Sequence, residues 1–143
     1  MPINNNDNYY YDKENKMAYY NIKYDDTTTI TGTAKCHPED EDMESEKTGL
    51  QIAEFRAMIK AMKYHKKYCL LPSLKSLQQL KYSMKHSTKF NRKSYENKML
   101  NRQIQLWETD IDNLNQMIKE TEQYLRDYIK NKEQTYQVFR KYR

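Results

Sequence analysis

From Ser73 to Arg143 the chain contains neither glycine nor proline. Inside that stretch Ile104, Trp107, Ile111, Leu114, Ile118, Thr121, Leu125 and Tyr128 advance by alternating steps of three and four residues. Such spacing carries one continuous stripe along a helix and is the signature of coiled-coil packing. It predicts a helix from about Ser94 to Phe139, roughly 70 Å long at the usual rise per residue. A helix of that length cannot bury its own seam. The preceding helices, a second copy of the chain, or both must cover it. The expectation is a homodimer or larger assembly built on Ile104, Trp107, Ile111, Leu114, Ile118, Leu125 and Tyr128.

Upstream the periodicity changes. Between Met17 and Tyr24 the residues alternate, with Ala18, Tyr20, Ile22 and Tyr24 on one face and Tyr19, Asn21 and Lys23 on the other, which is a strand pattern. Asp25 and Asp26 interrupt it, and Thr27 to Cys36 resume it with Ile30, Gly32, Ala34 and Cys36 on one face. Gly32 and Ala34 leave little side chain there, so another element is expected close against that face. Residues 1–16 are polar and asparagine-rich and read as an arm or an edge strand.

A helix follows the acidic stretch at 39–46. Thr48 and Gln51 have capping-box spacing, although the helix can begin as early as Glu44. Ile52, Phe55, Ile59 and Met62 form an apolar face, and Ala53, Ala57 and Ala61 form a small-residue stripe beside it. Pro72 is expected to stop this helix. Leu74, Leu77, Leu80 and Met84 mark a second helix, with a break near 86–89. The fold class is therefore α+β and mostly helical. A polar arm (1–16) precedes a β-hairpin-plus-helix module (17–71), and a helical hairpin with a long C-terminal helix follows (72–143). Leu, Ile, Val and Phe make up only about 16 % of the chain, so its core must be thin and filled out with Tyr and Met.

Charge is strongly segregated. Residues 1–50 hold five lysines against eleven acids, residues 51–103 hold thirteen Lys/Arg against Glu54 and Glu96 alone, and residues 104–143 balance at seven of each. An acidic head and a basic middle suit a polyanion-binding surface or a head folded onto the middle. Lys60, Lys63, Lys66, Lys67, Lys81, Lys85, Lys89, Arg92, Lys93 and Arg102 alternate with Tyr64, Tyr68, Tyr82 and Tyr95. Cations for phosphates and rings for bases make nucleic-acid binding one reading; a solvated helical face is the other. Arg56, the sole arginine before Arg92, could join Lys35 and His37 in a compact anion or nucleotide site, or pair with an acid of the 39–46 segment.

Other chemistry has little to stand on. Cys36, His37, His65 and Cys69 are the right residue types for zinc but lack a knuckle spacing, so neither metal nor cofactor is expected. No nucleophile elbow, phosphate-binding glycine loop or calcium loop is present, which argues against an enzyme. No run of about 18 apolar residues occurs, and the first residues lack the pattern of a secretory signal, so a cytoplasmic protein with reduced thiols is expected.

The segment Gly32-x-Ala34-x-Cys36-His37-Pro38-x-Asp40-x-Asp42, followed by Thr48-Gly49-x-x-Ile52-Ala53-x-x-Arg56-Ala57, resembles a hairpin–helix module of small phage and prophage proteins from low-GC Gram-positive bacteria. The wider arrangement, a small β region before long C-terminal helices, is similar in architecture to the Thoeris anti-defence proteins. These are oligomers that sequester a cyclic ADP-ribose signal without destroying it. The resemblance implies a counter-defence protein of the bacterial host cell that captures an anionic partner, either a nucleotide signal or a nucleic-acid-handling immune effector. On that reading Lys35, His37 and Arg56 would touch the anion, and Lys60, Lys63, Lys66, Lys67, Lys85, Lys89, Arg92 and Lys93 would steer it. A direct DNA or RNA binder and a structural coiled-coil adaptor stand as alternatives.

Overall fold

The computed structural model describes residues 8–35, 43–86 and 95–141, with side chains described to residue 133 and, in the first helix, from residue 46. The expected α+β, mostly helical class is what the chain adopts. Strands β1 (Tyr9–Asp12), β2 (Met17–Lys23) and β3 (Thr29–Lys35) precede helices α1 (Met43–His65), α2 (Leu71–Lys85) and α3 (Tyr95–Lys141). The chain divides into two compact units: residues 1–61 with 118–143, and residues 62–117. No helix among the described residues is long and apolar enough to cross a membrane.

The first unit is built on an antiparallel sheet of order β1-β2-β3. Residues 9–12 of the polar arm supply the edge strand β1, which adds a third strand to the expected hairpin. Two aspartates make the turns. Asp12 Oδ1 accepts the backbone N–H groups of Glu14 and Asn15, and Lys16 closes that turn at φ 52°, in the left-handed region. Asp25 Oδ1 accepts those of Thr27 and Thr28 at 2.9 and 2.7 Å. Hydrogen bonds that are stronger to the ionised carboxylate hold both groups below the usual aspartate range, led by the Asn15 side chain for Asp12 and the Thr27 N–H for Asp25.

Register places Ala18 opposite Ala34 and Tyr20 opposite Gly32. Their face packs on α1. Ala18, Ala34 and Ala53 form the buried cluster, bordered by Tyr11, Tyr20, Leu50 and Ile52. A Cβ on Gly32 would collide with the carbonyl oxygen of Ala53 and the backbone nitrogen of Ala57, and would lie 2.9 Å from Ala57 Cα. The bare strand therefore touches the helix backbone, as the small-residue face and the alanine stripe foretold. The opposite side of α1 meets α3, where Phe55 lies 5.2 Å from the Tyr124 ring and 6.0 Å from that of Tyr128. α1 thus buries two faces rather than one.

Tyr9 bridges sheet and helix. Its hydroxyl donates to Glu54 Oε2 at 2.8 Å, and its ring meets Tyr20 edge-on at 4.7 Å. Burial, then the hydrogen bond to Glu54, push the phenol up from 10.0 to about 12. The folded-state value is the higher one, so this stabilisation is complete below pH 10 and is lost as pH rises toward 12. In urea titrations, Tyr9→Phe should be less stable than wild type at pH 9, and the gap should close by pH 12. A gap that stays constant would contradict this assignment.

Two expectations about α1 need correction. The helix begins at Met43, so Thr48 lies more than a turn inside it, buried and 7 % exposed, and the Thr48/Gln51 pair is no capping box. Nor does Pro72 end the helical run. Residues Lys66–Leu70 form a π-helical turn in which the Leu71 N–H reaches back to the Lys66 carbonyl, and α2 continues with Pro72 in its first turn. Proline in a helix lacks an N–H and crowds the carbonyl four residues back; the wider π turn relieves that crowding. Ser73 Oγ donates to the Cys69 carbonyl at 2.7 Å, supplying a donor beside the gap.

The second unit, residues 62–117, is a helical hairpin of α2 and the first half of α3. Leu70, Leu100, Ile104 and Ile111 are its buried apolar residues, while Leu80 of the expected α2 face is 51 % exposed. Four positions of the heptad seam are covered within the chain itself. Ile104 and Ile111 in this unit, and Ile118 and Leu125 in the other, are 8–9 % exposed; Trp107, Leu114 and Tyr128 are half-buried. Among the described residues no large side chain is completely buried, which fits the thin core foreseen from composition.

Candidate polyanion-binding surface

The basic residues fall into two settings. In the first unit, Arg56 and Lys60 stand one helical turn apart on α1 and point at the outer edge of β3. Arg56 Nη1 donates to the Thr33 carbonyl and Lys60 Nζ to the Thr31 carbonyl, each at 2.9 Å. Carbonyls two residues apart on a strand point the same way, so the two cations cap an edge that would otherwise invite another strand. Arg56 thus has a structural partner in a strand carbonyl; the acids at 39–45 to which it could also pair lie outside the residues whose side chains are described. Lys35, exposed, ends the same strand. His37 lies outside the described residues, as do Lys89, Arg92 and Lys93.

The second unit holds the denser field. No acid occurs between Glu54 and Glu96, and within that interval Lys63, Lys67, Lys75, Lys81 and Lys85 are exposed and Lys66 is half-buried. Aromatic rings sit among them. Tyr64 and Tyr68 have centroids 4.5 Å apart, and Lys67 Nζ lies 5.1 Å from the Tyr68 ring. Tyr82 meets the His86 imidazole edge-on at 4.3 Å. Tyr68, Tyr82 and Tyr95 are 57, 67 and 72 % exposed, high for side chains that favour burial. Lys98 and Arg102 on α3 are exposed as well.

Two open recesses adjoin this field. One, about 280 Å³, runs between α2 and α3 and is lined by Gln78, Lys81, Tyr82, Lys85, Ile104 and Glu108. The other, about 490 Å³, lies along α2 over Lys75, Gln78, Gln79, Tyr82 and Ser83. Lys75 and the two glutamines do not stand out in the sequence. Their signal is the step 75, 78/79, 82, 85/86, a polar and aromatic stripe at helical spacing, overshadowed there by the leucines between them.

Of the zinc-type residues, His65 ends α1 and the half-buried Cys69 lies in the π turn, while Cys36 and His37 fall outside the described residues. Among the described residues no group of three or more His, Cys, Asp or Glu side chains is placed to hold a metal ion. No protein-family model, curated protein or solved structure matches this chain.

Proposed function

We propose that this chain is a non-catalytic binding protein that captures single-stranded nucleic acid on the lysine- and tyrosine-bearing unit of residues 62–117. The observation that carries this reading is the acid-free interval after Glu54, which displays exposed lysines with ring pairs between them. Lysines attract phosphate without fixing its geometry, and tyrosines stack on any base whose face is free. A duplex hides those faces, so a single strand fits better. In the counter-defence setting that the architectural likeness to the Thoeris anti-defence proteins implies, the ligand is held or masked and released unaltered. Nucleotide capture by Lys35, His37 and Arg56 is the second reading; one of the five guanidinium donors is engaged with the Thr33 carbonyl, and His37 lies outside the described residues.

The test is fluorescence anisotropy with a labelled oligothymidylate between about 50 and 200 mM salt. Wild type should bind with an affinity that falls steeply across that range. Lys63→Glu/Lys66→Glu/Lys67→Glu should weaken binding more than about tenfold at low salt. It should also lower the log–log salt slope by about 2, at roughly 0.7 for each phosphate that is no longer neutralised. A triple variant that binds like wild type would make these lysines a solvated face and favour the adaptor reading.

A further inference from the structure

We infer that the α2–α3 groove centred on Tyr82 is the base-stacking site for one nucleotide of a single strand. This inference rests on the proposed function and adds to it a place and a contact. Tyr82 is shared by both recesses and is 67 % exposed. Its ring meets the His86 imidazole edge-on at 4.3 Å at the end of α2, where the His86 N–H returns to the Tyr82 carbonyl at 3.3 Å. An exposed tyrosine ring is a platform on which a base can stack.

The surroundings match the parts of a nucleotide. Gln78 and Gln79, one turn before Tyr82, each offer both a donor and an acceptor, as the edge of a base requires. Ile104 supplies an apolar floor. Lys75, Lys81 and Lys85 supply cations at the rim for the phosphates on either side of the stacked base. Glu108 is the single acid in the lining; it disfavours phosphate on the α3 side and can accept from an exocyclic amine. A base over Tyr82 with its backbone along α2 satisfies all of these at once. Both recesses lie open, so a strand can enter from the side.

The experiment compares wild type, Tyr82→Phe and Tyr82→Ala on the full chain, using the labelled oligothymidylate and an abasic strand of the same length. Tyr82→Ala should bind oligothymidylate about 5- to 150-fold more weakly, the effect of removing one base–aromatic stack. Its salt slope should stay that of wild type, because the phosphate contacts remain. Tyr82→Phe keeps the ring face and should bind within about threefold of wild type. On the abasic strand wild type and Tyr82→Ala should be equal. If wild type binds oligothymidylate and Tyr82→Ala binds it equally well, the groove is not the stacking site, while the proposed function survives. If wild type fails to bind oligothymidylate at any salt, the proposed function falls and this inference falls with it.

Discussion

Replacing Gly32 with alanine is expected to cost about 3 kcal/mol or more, the upper end for adding one methyl group to a packed interior. The penalty is high because of what the methyl would meet. Its neighbours are the Ala53 carbonyl oxygen and the Ala57 backbone nitrogen and Cα, not the tip of a flexible side chain. Rotamer changes cannot clear backbone atoms, so either β3 or α1 has to move. Moving either one opens the Ala18–Ala34–Ala53 cluster and draws the edge carbonyls of Thr31 and Thr33 away from Lys60 and Arg56. No truncation on α1 can compensate, and Gly32→Ala combined with Ala57→Gly should be no better than Gly32→Ala alone. Thermal melts followed by circular dichroism should show a fall on the order of 10 °C for Gly32→Ala. Thr33→Ala, on the opposite face of the strand, should stay within about 0.5 kcal/mol of wild type. A Gly32→Ala protein as stable as wild type would mean that sheet and helix do not meet backbone to backbone.

What the sequence made legible was whatever rests on period. Alternation from Ala18 to Ile22 and from Ile30 to Ala34 named the buried face of two strands, and the small size of Gly32 and Ala34 announced the close helix. The step of three and four from Ile104 onward named the buried stripe of α3. Local events at single residues were harder to see. Pro72 looked like a stop because the proline rule assumes an α-helix on both sides; a five-residue π turn evades it, and no composition marks such a turn. Thr48 and Gln51 had the spacing of a cap, but caps act only where backbone donors are free, and Met43 had already begun the helix. Arg56 looked like part of an anion site and Lys60 like part of a steering surface because a linear reading cannot show that the edge of β3 passes beneath them. The lysine field of the candidate site was plain from charge counting. The groove was not, since Tyr82, Gln78 and Ile104 meet only after α2 and α3 pack together.

Whether the α3 seam closes within one chain or between two decides how its stability depends on concentration. Ile104, Ile111, Ile118 and Leu125 are already 8–9 % exposed in a single chain, so these four positions are covered without a second copy. Urea midpoints measured at about 1 µM and at about 100 µM should therefore coincide. A seam closed between two chains would instead gain about 2.7 kcal/mol across that hundredfold range, by mass action. Ile111→Ala should lose about 3 kcal/mol, the usual result of removing a buried isoleucine from a seam that cannot collapse. Ile111→Asp should lose more, because its carboxylate enters an apolar seam and must either drag water inward or take up a proton. The aspartate variant is expected to unfold the 62–117 hairpin at both concentrations alike. If raising the concentration restores it, the seam is an interface, and the assembly expected from the heptad spacing is the functional form. If concentration has no effect, the heptads serve as an internal spine that holds α2 and its lysines in place, and the adaptor alternative lacks the exposed seam it needs.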